Sequence, residues 1–208
     1  MSLLTNWGYQ LPGIDVLPGI IDIDAFNEFT AGKYGTDKRA IPNIAAASAA
    51  IRNYCGWHVF PTLKCRLETT FFDKRVTATY GGVMVQLPAT YVTAVDSVTI
   101  NGIGYETFVI EPDGILRVYG VCWQEVKPWT PVIVDYKAGI SGGMAAGLME
   151  LVAHRVTHAL ASTYGVQSEA AGGVSVTYNA TWTNNSRATA LADDNKEVLS
   201  PYRLRGVF

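Results

Sequence analysis

Asn43-Ile-Ala-Ala-Ala-Ser-Ala-Ala-Ile-Arg-Asn-Tyr-Cys-Gly-Trp-His58 is the stretch on which the fold turns. Ile44, Ala47, Ile51 and Tyr54 or Cys55 recur at three- and four-residue steps, so one helical face is apolar, and its small Ala and Ser residues let a second helix approach closely. Gly56 can take a left-handed backbone and supplies the stop. The spacing predicts a helix from about Lys38 to Tyr54, with Pro42 in the first turn, where its missing N–H is not needed. A strand-rich region follows.

From Leu63 to Lys137 the apolar residues recur with period two. Thr77, Thr79 and Tyr80 lead through Gly81-Gly82 to Val83, Val85 and Leu87, which alternate with Met84 and Gln86 and read as a hairpin. Val95, Val98 and Ile100 meet Asn101-Gly102, a strong turn signal, before Tyr105 to Ile110. Pro112-Asp113-Gly114 turns the chain into Ile115 to Tyr119, and Val132-Ile133-Val134 with Tyr136 supplies a last strand. About six short antiparallel strands are expected.

The helical period returns from Met144 to Ser162, after Gly139, Gly142 and Gly143. Leu148, Val152, Val156, Ala159 and Leu160 form its apolar side, suited to packing on the helix that carries Ile44 and Ile51. Val174 to Trp182 alternate as a strand or hairpin arm, Asn184 to Ala192 read as a polar loop, and Asp193 or Asp194 opens a short final helix. Upstream, Asp22 or Asp24 caps a short helix carrying Phe26 and Phe29, ended by Gly32 to Gly35. Residues 1 to 21 hold Gly8, Pro12, Gly13, Pro18 and Gly19 among apolar residues. They read as an extended arm that covers either the chain's own core or a neighbouring subunit.

The expected fold class is therefore α+β: a small helical bundle with an antiparallel β-rich insertion and extended termini. Residues 22–57 and 139–208 form the helical domain, 58–138 the insertion and 1–21 the arm. The chain has 208 residues, 49% of them hydrophobic, enough for a substantial core. A net charge of −2 with 16% charged residues argues against a protein that grips nucleic acid through a basic surface. Cys55, Cys65 and Cys122 are odd in number and far apart, which favours buried free thiols over disulfides or a zinc knuckle. With no apolar run long enough to span a bilayer and no leader pattern, a soluble protein made in the cytoplasm is expected.

Signals for chemistry are weak. Glu150, His154 and His158, spaced by four, form a stripe on the predicted helix that could hold zinc, which would make the chain a metal-binding enzyme. That spacing lacks the His-Glu-x-x-His pattern, and His154 lies nearly opposite the apolar side, so an exposed polar face or an inter-subunit hydrogen-bonding face is the simpler expectation. Cys55 lies near His58 but closes an apolar face, and no Gly-x-Ser-x-Gly elbow occurs. Gly139 to Gly147 precedes a helix without matching a phosphate-binding motif and reads as a hinge. Trp123, Trp129 and Trp182 sit beside strands and turns, where sheet packing or interface anchoring suits them as well as ligand stacking. No catalytic residue, metal or cofactor is expected.

Several separated motifs resemble the head-to-tail connector, or adaptor, proteins of tailed bacteriophages. They are Tyr54-Cys55-Gly56-Trp57-His58; Val92 to Gly102; Val132 to Gly139, with its Tyr-x-Ala-Gly end; Ser168-Glu169 followed by Ser175-Val176-Thr177-Tyr178; and Leu199-Ser200-Pro201-Tyr202-Arg203. In order, they cover about residues 22 to 205. Gly142-Gly143-Met144 stands where that family often has a proline, and the amino-terminal arm has no match.

The resemblance implies a virion protein at the head-to-tail interface. It implies a ring, commonly of twelve copies, beneath the portal protein, leading viral DNA towards the tail without sequence-specific binding, with no membrane contact. A stopper or tail-completion protein is a further partner, and such a protein is also the closest rival identity. By position, Pro201, Tyr202, Arg203, Leu204, Arg205 and Phe208 are expected to dock the portal. Val174, Ser175, Val176, Thr177 and Tyr178 are expected at contacts between subunits or rings. A slightly acidic channel suits sliding DNA, since many lysines would hold it through its phosphates.

Overall fold

The computed structural model describes residues 2–121, 126–161, 168–171, 174–177 and 193–204. In chain order these form β1 (Ser2–Leu4), β2 (Gln10–Pro12), α1 (Ile23–Phe29), α2 (Ala40–Cys55), β3 (Leu63–Thr70), β4 (Val76–Thr79), β5 (Gly82–Gln86) and β6 (Val92–Ile100). There follow β7 (Ile103–Gly104), β8 (Phe108–Glu111), β9 (Ile115–Tyr119), β10 (Pro131–Ala138), α3 (Ala146–Ala161), β11 (Ser168–Ala171), β12 (Val174–Thr177) and α4 (Asp193–Leu199). Single 3-10 turns occupy Pro112–Gly114 and Ser200–Tyr202.

The expected helical bundle is not what forms. The fold remains mixed α+β, but it is β-rich, with two antiparallel sheets and a separate hairpin, while two of its four described helices have only seven residues. The termini are not simply extended either. The amino-terminal segment supplies β1 and β2, which join the larger sheet in the order β1-β2-β3-β10-β6-β7. The smaller sheet has the order β4-β5-β9-β8.

Two compact units result, one of residues 1–17, 55–142 and 200–208, the other of 18–54 and 143–199. In the first, β10 is the central strand of the larger sheet. Its Val132, Val134, Tyr136 and Ala138 are buried, whereas Asp135 and Lys137 point to the opposite face. Register places Val134 between Leu67 of β3 and Val98 of β6, so one row of apolar side chains crosses three strands. On the other face Arg66 holds Asp135 through Nε at 2.7 Å, Ser97 Oγ donates to the same carboxylate, and Lys137 lies 3.7 Å from Asp96.

Tight turns fix these registers. Asn101 (φ 53°) and Gly102 (φ 78°) both take left-handed backbone between β6 and β7, as a two-residue type I′ hairpin requires. In the smaller sheet, a Cβ on Gly82 would strike the Val118 carbonyl oxygen, so the close approach of β5 to β9 depends on glycine there.

The arm closes onto its own core. Tyr9 and Leu11 are buried, and the Tyr9 hydroxyl donates to His58 Nδ1 at 2.7 Å while accepting the His58 backbone N–H at 3.1 Å. The other ring nitrogen, Nε2, lies 2.9 Å from the Ala138 carbonyl oxygen and donates to it, which selects the Nε2–H tautomer of a neutral imidazole.

In the second unit, an irregular segment lies along the side of α2 that carries Ile44, Ser48 and Arg52. The Ile20 N–H donates to Ser48 Oγ at 3.0 Å, and Arg52 Nη2 donates to the Pro18 carbonyl oxygen at 2.7 Å. A Cβ on Gly19 would come within 2.9 Å of Ile44. The small side chains thus admit backbone. Asp22 caps α1 by accepting the Ala25 N–H, and α1 meets α3, where the Phe29 ring stands edge-on to His154 at 5.2 Å.

Candidate docking surfaces

Cys55 ends α2, and Gly56 follows in left-handed backbone at φ 80°. A helix end leaves carbonyl oxygens without intrahelical donors. Here one of them, that of Cys55, accepts the N–H of Leu204 at 2.8 Å, so the chain's carboxy-terminal segment caps the helix. Next in sequence, the fully buried Trp57 donates its indole N–H to the Tyr202 carbonyl oxygen at 2.7 Å. Tyr91 lies between the two aromatics, stacked on Trp57 at 6.4 Å and tilted against Tyr202 at 6.1 Å. Leu204 is buried, and its Cβ would be 3.6 Å from a Cβ on Gly56. Residues 200–204 are therefore clasped within the first unit by two hydrogen bonds and an aromatic stack.

This clasp sorts the residues expected to dock the portal. Tyr202 and Leu204 spend backbone groups and side chains on the chain's own core, whereas Pro201 and Arg203 are exposed. Arg205 and Phe208 lie outside the described residues. Burial pushes the Cys55 thiol up to about 12, with the positive charge of Arg203 acting the other way. Cys65, buried in β3, is also pushed up to about 12 by burial. Both are free thiols and poor nucleophiles at neutral pH.

Sequence pointed to a second surface only through Trp129, for which interface anchoring was one reading. Register brings three loops to one end of the larger sheet, because Thr70 pairs with Pro131 and Val132 with Ile100. The Phe71 N–H donates to the Thr130 carbonyl oxygen at 3.3 Å, and the Asn101 N–H to that of Pro131 at 2.9 Å. Phe72 and Trp129 on those loops, and Ile103 at the start of β7, are 84%, 70% and 50% exposed. Lys127 Nζ lies 6.0 Å from the Trp129 ring centroid. The signal available in sequence was Phe71-Phe72 and Trp129 beside turn residues, but only the pairing of β3 with β10 brings them together.

Of the subunit-contact residues, Val174, Ser175, Val176 and Thr177 form β12, which pairs with β11 from Ser168↔Thr177 to Ala171↔Val174. Tyr178 lies outside the described residues. The stripe Glu150, His154 and His158 lies on α3, with His154 Nε2 3.5 Å from Glu150 Oε1 and both side chains more than 60% exposed. Among the described residues, no group of three His, Cys, Asp or Glu side chains is placed to hold a metal ion. No helix of the described residues is long and apolar enough to cross a membrane.

Comparison with known proteins complements this geometry. The model of a family described as head completion protein matches residues 19–203. No curated protein matches the chain. One similar solved chain comes from a structure described as the neck of an empty GTA particle computed with C6 symmetry. It is 18% identical, with a TM-score of 0.44 over 95% of this chain and 97% of that one.

Proposed function

The chain belongs to the head completion protein family and so is a structural protein of a phage-type head-to-tail junction, and we propose that it forms the ring joining the portal to the tail and conducting DNA between them. One observation carries this reading: the family match spans residues 19–203 and so includes most of both compact units rather than one borrowed motif. The resemblance to connector proteins implies twelve copies and a stopper or tail-completion protein on the far side. The chain acts by contact rather than by catalysis.

The surfaces support contact of two kinds. On the polar face of the larger sheet, charges are paired, Arg66 with Asp135 and Lys137 with Asp96, leaving little excess positive charge to hold a phosphate backbone. At the end of the same sheet, Phe72, Trp129 and Ile103 offer apolar groups of the sort that anchor protein partners. The portal-docking role falls to the exposed Pro201 and Arg203 together with Arg205 and Phe208, held in place by the clasp that Tyr202 and Leu204 make. Val174 to Tyr178 serve contacts between neighbouring copies or rings.

The test is removal of residues 205–208 from the full chain, followed by co-sedimentation with portal-bearing heads. Unchanged thermal unfolding with lost attachment is expected. Attachment equal to that of the intact chain would overturn the docking assignment.

A further inference from the structure

Unpaired strand edges are where another chain can add, and each edge in this fold differs in how open it is. Strand β1 has only three residues. The outer edge of β6 is paired with β7 only at Thr99 and Ile100, but its register with β10 skips Asp96 and Thr93, two bulges that twist the edge, and both residues are exposed. Strand β4 already uses one outward donor, since the Val76 N–H donates to the Asp73 carbonyl oxygen at 2.9 Å.

Strand β8 has none of these protections. Its ladder with β9 is unbroken from Phe108↔Val118 to Glu111↔Ile115, and the Tyr119 N–H donates to the Thr107 carbonyl oxygen. By alternation, Val109 and Glu111 direct their backbone groups to β9, while Phe108 and Ile110 direct theirs outward. Among the described residues these outward groups meet no other strand. The strand is also apolar, with Val109 49% and Ile110 37% exposed.

Among the described residues, one strand pair belongs to neither sheet. Among the described residues, β11 and β12 pair only with each other, and a two-stranded hairpin alone is marginally stable in water. Its strands have four residues each, as β8 does. We propose that the β11–β12 hairpin of one copy adds to the β8 edge of the next, so that backbone hydrogen bonds link successive subunits. This rests on the ring reading and specifies its contact. Hairpin and edge are different surfaces of the chain, so the contact is head-to-tail, the type that a rotation closes into a ring.

The test places a photo-crosslinking benzoylphenylalanine at Val109 in the full chain. Unlabelled and isotopically heavy chains are mixed and assembled with the portal, and crosslinked peptides are read by mass spectrometry. Crosslinks from light chains into residues 168–177 of heavy chains are expected. Assembled rings whose crosslinks fall elsewhere, or only within one chain, overturn the contact but leave the ring standing. A chain that never assembles overturns both.

Ile110→Pro removes one outward N–H without touching the β8–β9 ladder, and proline is tolerated on an edge strand. Compared with Ile110→Ala, at least tenfold weaker self-association is expected. Equal assembly of the two variants, both confirmed folded by thermal melts, also overturns the contact. If Ile110→Pro does not fold, the crosslink alone decides.

Discussion

Trp57→Phe should release the carboxy-terminal clasp, and the structure allows its size to be worked out. The indole N–H to Tyr202 carbonyl bond, at 2.7 Å, is lost, at a net cost of about 1 kcal/mol for a typical intramolecular bond. Tyr202 is only half-buried, so water can reach its carbonyl and the larger penalty for an unmet buried acceptor does not apply. The fully buried indole is replaced by a smaller ring, leaving a gap beside Tyr91; scaled from core truncations, that adds about 2 kcal/mol. The sum is about 3 kcal/mol, which in a chain of this length lowers the melting temperature by roughly 6–12 °C. Differential scanning calorimetry measures the shift, and limited proteolysis reports whether cleavage after Tyr202 or Arg203 accelerates. A melting temperature within 1 °C of wild type, with unchanged cleavage, would refute the clasp.

Three further outcomes follow from the same geometry. With Cys122 replaced by serine, Cys55 and Cys65 should resist a disulfide reagent at pH 8 in the folded chain and react fully in denaturant. Their raised pKa values contribute stability that is complete below the ordinary thiol value of 9.0 and is lost as pH rises towards about 12, so alkaline titration should lower the melting temperature over that window. Asp73, hydrogen-bonded by Arg75, is held at about 2; its contribution is present above the ordinary 3.8 and lost as pH falls through about 2. Asp73→Asn should thus cost about 2 kcal/mol at pH 7 in denaturant unfolding and far less at pH 2. Gly114→Ala should cost about 3 kcal/mol, because φ is 74° there and the added methyl strikes the Ala89 carbonyl; a loss below 1 kcal/mol would contradict that backbone.

Much of the local structure was legible because its causes are local. Gly56 after the Ile44–Ile51 stripe ends α2, Asp22 caps α1, and the Asn101-Gly102 and Asp113-Gly114 turns reverse the chain where their left-handed backbones permit. The architecture was not legible in the same way. Strands β1 and β2 have three residues each among prolines and glycines, too short for a period of two to register. Strand β3 finds its partner more than sixty residues away in β10, so a helical domain with a β insertion seemed natural when sheets were in fact dominant. Small residues on α2 permit close approach, but the segment that meets Ile44, Ser48 and Arg52, Pro18 to Ile20, has no pattern of its own.

The docking residues divide along the same line. Aromatic and basic groups near the end of the chain suggested an outward-facing element. Sequence could not reveal that Trp57 and the Cys55 carbonyl hold Tyr202 and Leu204, since those contacts join residues nearly 150 positions apart. The exposed group of Phe72, Trp129 and Ile103 is likewise a product of register. Family membership was legible, because Tyr54 to His58 and Leu199 to Arg203 are contiguous motifs, and they lie on the two sides of the clasp.

Whether the chain forms a ring that seats on the portal is decided by native mass spectrometry of the full chain, alone and mixed with the portal protein of the same particle. A complex containing one closed ring of this chain per portal is expected, with the twelve copies that the connector resemblance implies. A chain that stays monomeric and leaves the portal's mass unchanged would contradict it.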